Sequence, residues 1–251
     1  MANWQDPRSK TDRFGGVTAA TVGVPRAARD AGLRSYMLSV YNYMASGVLL
    51  TGIIAMLFAP YARQVLISPT GQGMSPIGWI VTLSPLAFVF AMSFGVNRMR
   101  TSTLQLLFWG FAAVMGLSMS TLFLVFTGVS IAQTFFATAA AYLGLSVWGY
   151  TTKRDLSAIG SFLIMGVVGL LVAMLINMFM RSSAMALAIS AIGVLLFAGL
   201  TAYDTQRIKS MYFQVAGSDM VGKVVIMGAL SLYLDFINMF QFLLSFMGNR
   251  R

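Results

Sequence analysis

Seven apolar runs, each about as long as a bilayer is thick, restrict this chain more than any other feature. They cover residues 36–59, 77–97, 104–127, 129–150, 157–180, 184–205 and 221–247. A helix needs roughly 20 residues to cross the hydrocarbon of a bilayer. In lipid every backbone N–H and C=O must be satisfied within the segment, so runs of this length form helices. The expected fold class is therefore an all-α membrane protein with seven transmembrane helices. Composition agrees, since 58% of residues are hydrophobic and only 10% charged, where a soluble domain carries about a quarter charged residues. Residues 1–34 mix Pro, Gly, Thr, Arg and Asp without an apolar core of signal-peptide length. They read as a disordered or loosely helical cytoplasmic N-terminal tail with no cleaved signal, leaving 35–251 as the seven-helix domain.

The net charge of +10 is distributed in short clusters between the apolar runs, so it reads as a topology signal and not as a nucleic-acid surface. Six Lys or Arg in the tail, Arg98, Arg100, Lys153, Arg154, Arg207, Lys209 and Lys223 share one face; Arg63, Arg181, Arg250 and Arg251 share the other. The positive-inside rule then places the N-terminus in the cytoplasm and the C-terminus outside. A re-entrant last segment, the most polar of the seven, would instead return Arg250 and Arg251 to the cytoplasmic side. The chain has no Cys and no His, which removes disulfides, thiolate or imidazole metal sites, and Ser-His or Cys-His catalysis.

All seven acids are Asp. Asp6, Asp12, Asp30, Asp155 and Asp219 fall in the tail or in loops and read as solvated charge. Asp204 ends the run MALAISAIGVLLFAGLTAYD and Asp235 lies inside SLYLDFINMF. An ionised carboxylate at that depth costs several kcal/mol unless it faces protein, water or a partner, so an intramembrane acid is a functional candidate. Ser231, Asp235, Asn238 and Ser245 share one stripe of the seventh helix with Phe242, and Thr201 stands one turn before Asp204. These are oxygen donors, the kind that hard cations such as calcium take. Ser231, Asn238 and Thr201 are thus pore-lining candidates, and Asp204 and Asp235 a possible calcium path. The competing reading of such a stripe is interhelical hydrogen-bonding glue. Arg98 ends the second helix at the depth of Asp204 and could latch it, although Arg100, Arg207 and Lys209 compete on position alone.

AYDTQRI on the sixth helix, SLYLDFIN on the seventh and GLSMSTLF on the third resemble the Bax inhibitor family, also called the transmembrane Bax inhibitor motif family, and the resemblance runs from about residue 34 to 248. It implies six helices around a central seventh. It also implies, by likeness to bacterial members that behave as pH-sensitive calcium leak channels, that Asp204 and Asp235 share a proton and close a pore, with Arg98 as the latch of Asp204. Other members are described as modulators of a membrane-bound protease or of cell death. That makes a non-transporting membrane regulator the main alternative.

Without histidine, any pH sensing between pH 5 and 8 has to use carboxylates. Two close aspartates in low dielectric repel when both are ionised, so a shared proton bridges their helices and its loss pushes them apart. No enzyme is expected. Tyr203-Asp204 is reminiscent of an intramembrane aspartyl protease, but Leu232, Tyr233 and Leu234 stand where such a protease has its Gly-x-Gly pattern before the second aspartate. A retinal protein would need a mid-membrane lysine, and Lys223 lies at the edge of its helix. No cofactor is expected. The anticipated partners are the lipid bilayer, calcium or another cation, and in the alternative reading a membrane-bound protease, with the bacterial inner membrane as the location.

Overall fold

The structure, a computed structural model, describes residues 26–69 and 73–250. These residues form eight helices: α1 (Arg26–Leu66), α2 (Pro76–Gly95), α3 (Thr101–Met119), α4 (Leu122–Val125), α5 (Gly128–Thr151), α6 (Ser157–Met180), α7 (Ser183–Val215) and α8 (Val221–Met247). The short α4 continues α3 after a break at Ser120 and Thr121, so the eight helices make seven apolar spans, as the hydropathy pattern predicts. Several starts carry local signals. Ser75 caps α2 ahead of Pro76, Thr127 caps α5 and Ser182 caps α7, each hydroxyl accepting a backbone N–H of the first turn.

Two boundaries differ from expectation. The tail was expected to reach residue 34, yet α1 begins at Arg26, so residues 26–34 are helical; residues 1–25 lie outside the described residues. The sixth span was expected to end at 205, yet α7 runs on to Val215. The two extensions support each other. Tyr36 of α1 packs on Tyr212 of α7 with ring centroids 5.3 Å apart, and Tyr41 Oη lies 3.1 Å from Thr205 Oγ1. A hydropathy window stops where TQRIKSMY turns polar, but nothing in that stretch breaks a helix, and packing against α1 carries it three further turns.

α8 is the axis of the bundle. It buries 67% of its most apolar stretch inside the protein, against 17% for α2 and for α6. It packs on α1, α3, α5 and α7, while α2 leans mainly on α3 and α6 on α7. The implied ring of six is therefore an inner set of four helices with α2 and α6 placed outside it.

Tyr233 anchors one side of α8. Fully buried, it sits 2.6 Å through its hydroxyl from Thr51 Oγ1 and packs its ring edge-on against Phe108 and Phe111. Thr51 also donates to the carbonyl of Ala112, joining α1, α3 and α8. On another side Phe236 packs against Phe135 and Tyr142 of α5.

Both ends of α8 are tied. The α7–α8 turn uses Gly217 at φ +80, a left-handed conformation that favours glycine. At the far end Thr127 N donates to Asn249 O, Asn249 N donates to Ser130 Oγ, and the Arg250 guanidinium lies over the Phe126 ring. The C-terminus thus meets the connection that follows the third span. Asn249 and Arg250 lie at the end of the bundle opposite the start of α1, and α8 runs the full depth of the bundle instead of re-entering.

Candidate functional site

Asp204 and Asp235 lie on α7 and α8, antiparallel neighbours joined by a tight turn. Counted at about 1.5 Å per residue from the ends at that turn, Asp204 is roughly 16 Å deep and Asp235 roughly 21 Å, a difference of about one helical turn. The extension of α7 creates this match, since a helix ending at 205 would have left Asp204 at the surface. Both side chains are buried, at 9% and 5% exposure. Asp204 is within electrostatic reach of Asp235, and Asp235 Oδ2 has no hydrogen-bond partner among the described residues. A buried carboxylate oxygen without a donor is expensive to retain for stability alone, which makes Asp235 a candidate for function.

The cation beside Asp204 is Arg207, whose Nη1 lies 3.7 Å from Asp204 Oδ1. The two residues are one turn apart on the same helix, and the guanidinium remains half exposed. The latch expected at Arg98 is not formed: Arg98 is exposed in the α2–α3 turn and has no ion pair among the described residues. The turn itself does approach the site, through Val96 and Asn97. An i,i+3 neighbour carried on the same extended helix meets Asp204 without any loop having to be positioned, which accounts for the substitution of one arginine for the other.

A cleft of about 270 Å³ opens beside Asp204, lined by Arg207, Ile208, Met227, Gly228 and Ser231 among others. Further along the same stripe of α8, a second cleft of about 190 Å³ lies between α6, α7 and α8 and is lined by Asn238, Gln241, Phe242 and Ser245. Ser231 and Asn238 therefore each line a cavity, and Asp235 stands between the two along α8. Thr201 does not. It is fully buried and donates its hydroxyl to the Phe197 carbonyl of its own helix, which makes it packing and not pore lining. Among the described residues no group of three or more His, Cys, Asp or Glu gathers for a metal. Among the described residues, the acids at this site are Asp204 and Asp235.

Residues outside the expected set complete the surroundings. On α5, Tyr142 lies within electrostatic reach of both aspartates and of Tyr41, and its hydroxyl donates to the Leu232 carbonyl one turn before Asp235. The Ser146 hydroxyl, one turn further along α5, is buried beside the Tyr142 hydroxyl. Ser130, Thr134, Thr138, Tyr142 and Ser146 are all buried and four residues apart. That regular spacing of hydroxyls was legible in the sequence and marks the face of α5 turned to α7 and α8. Gly149 lets the helices approach, because a Cβ there would collide with the Ala202 carbonyl oxygen.

Residues 33–251 match the family described as inhibitor of apoptosis-promoting Bax1. The chain belongs to the Bax inhibitor family. Bax inhibitor relatives run nearly end to end with it. A Rickettsia prowazekii protein, RP147, is 47% identical over 225 residues, covering 88% of this chain and 92% of its own. A Caulobacter vibrioides protein is 44% identical over 228 residues, covering 88% and 91%. The Escherichia coli inner membrane protein YbhL is 42% identical over 223 residues, covering 88% and 94%. The family that AYDTQRI, SLYLDFIN and GLSMSTLF resemble is thus the one to which the chain belongs.

Proposed function

We propose that this protein is a pH-sensitive leak path for calcium or a similar hard cation across a bacterial inner membrane, with the N-terminus in the cytoplasm. The observation that supports the reading is the burial of two carboxylates at nearly matching depth on adjacent helices, with Asp204 open to a cleft and Asp235 enclosed beyond it. The inner-membrane relative and the asymmetry of Lys and Arg support the location and orientation.

In the closed form one proton held between Asp204 and Asp235 joins α7 to α8. Loss of that proton leaves two negative charges in a low-dielectric site. Their repulsion parts the helices and links the Asp204 cleft to the Asn238 cleft past Asp235. Arg207 holds Asp204 by charge, and its partial exposure lets it swing aside. A passing cation would be met by the two carboxylates, then by Ser231 and Asn238 oxygens, a set suited to transit and not to tight retention. No bond-making step is involved, so the reading is not enzymatic.

The test is cation flux into vesicles containing only the purified protein, followed against pH and ion identity. Flux that rises with pH in the wild type and loses its pH dependence in Asp204→Asn and Asp235→Asn is expected. Wild-type vesicles without flux at any pH, from preparations that retain a membrane protease on purification, would favour the regulator reading instead.

A further inference from the structure

A third cleft, of about 330 Å³, lies on the basic face between the α5–α6 loop and α7, lined by Lys153, Arg154, Asp155, Ser157, Tyr203, Gln206, Arg207 and Ser210. Lys153 and Arg154 are exposed, and neither side chain has an ion pair or hydrogen bond among the described residues. The loop that carries them is pinned. Gln206 accepts from Leu156 N at 2.9 Å and donates to the Arg154 carbonyl at 2.8 Å, while Lys209 donates to the Tyr150 carbonyl and lies over the Tyr150 ring. Asp155 is the single carboxylate in the lining. Bonds from the Ser157 hydroxyl and then the Ser157 amide hold its carboxyl below the usual value, so it stays ionised and already engaged with the start of α6. Two unpaired cations, with Arg207 shared with Asp204, against one occupied carboxylate make a pocket for an anion.

We infer that this pocket binds the phosphate headgroup of an anionic phospholipid. Its setting favours a lipid over a soluble anion. Ile159 and Phe162, one to two turns into α6, are 51% and 66% exposed and face the bilayer, and Trp148 lies half exposed at the end of α5. A headgroup among Lys153, Arg154 and Arg207 can therefore lay its acyl chains on an apolar surface that begins within a turn of the pocket. Basic pockets between transmembrane helices on the cytoplasmic side have this chemistry.

Arg207 gives the site a consequence. It lines both this pocket and the cleft of Asp204, so a bound phosphate competes with Asp204 for one guanidinium. Resting on the gating reading, this makes anionic lipid a regulator: occupancy draws Arg207 from Asp204 and shifts the pH at which the path opens.

The full-length protein is reconstituted in vesicles of equal phosphatidylglycerol and phosphatidylcholine, and retained lipid is read by native mass spectrometry. Selective retention of phosphatidylglycerol is expected. A basic residue near the surface contributes about a factor of five, so K153Q/R154Q should weaken retention about thirtyfold. R34Q/R100Q removes two exposed charges that do not line the pocket; because the attraction is screened over about a Debye length, it should change retention less than about threefold. Equal losses in the two double variants would reduce the effect to diffuse surface charge and overturn the site. Displacement of the lipid by millimolar glycerol phosphate would assign the pocket to a soluble anion and overturn the lipid. For the coupling, the pH midpoint of flux should differ between pure phosphatidylcholine and mixed vesicles in the wild type but not in K153Q/R154Q. An unchanged wild-type midpoint overturns the coupling; absence of flux everywhere, with retention intact, overturns the gating reading while the site stands.

Discussion

Asp235→Asn is the most informative perturbation because it changes charge and almost nothing else. The side chain keeps its shape in a site that is 5% exposed, while the second negative charge of the pair disappears. Two unit charges roughly 6 Å apart at an effective dielectric near 20 repel by about 3 kcal/mol. That is about a hundredfold in the balance between closed and open forms. Wild-type flux should therefore vary by up to about that factor across the titration of the pair, and the variant's by less than about threefold. Thermal unfolding in detergent adds an independent readout. A buried ionised group opposes folding, so Asp235→Asn should unfold no earlier than the wild type at pH 8. The assay is vesicle flux against pH at fixed cation concentration, with folding checked by the unfolding transition. A well-folded Asp235→Asn protein that retains the full wild-type pH dependence would refute the shared-proton gate.

Exchange of the arginines separates two latches: Arg207→Gln should displace the pH midpoint of flux, whereas Arg98→Gln should leave it where it is, since among the described residues Arg207 is the cation paired with Asp204. Gly149→Ala forces a methyl group against the Ala202 carbonyl, a contact with backbone that has no flexible end to yield; a loss of about 1–3 kcal/mol in unfolding stability is expected, read by thermal or denaturant unfolding in detergent. The lowered Asp155 value means its contribution is complete above the ordinary aspartate range and is lost only as pH falls through the still lower folded value. Asp155→Asn should accordingly leave the slope of flux between pH 5 and 8 unchanged, and a flattened slope there would show that the pH dependence is not confined to the buried pair.

Much of this protein is readable from local chemistry. Hydropathy over windows of about 20 residues located all seven spans, because membrane crossing is decided segment by segment. Asp204 and Asp235 stood out for the same reason: the cost of a carboxylate at depth depends on the run it interrupts. Ser231 and Asn238 followed from helical phase. Where contacts between helices decide, local chemistry failed. Thr201 looked like a pore residue until its hydroxyl was found bonded within its own helix, and Arg98 looked like a latch until Arg207 occupied the place. Tyr142 and Ser146 escaped notice although their spacing was visible, since a hydroxyl stripe does not say which helix it faces.

What the sequence determined by itself is which segments enter the bilayer, which face carries the charge, and which two acids are out of place. The tertiary structure alone decided that α7 continues past Asp204, that α8 lies innermost with α2 and α6 outside the inner set, and that Asp204 and Asp235 come to nearly one depth. The division follows from range: solvation acts on each residue in its own surroundings, whereas depth, pairing and cavities depend on where helices end and how closely their backbones meet. At Gly149 and along the Tyr36–Tyr212 contact, residues far apart in the chain set that approach.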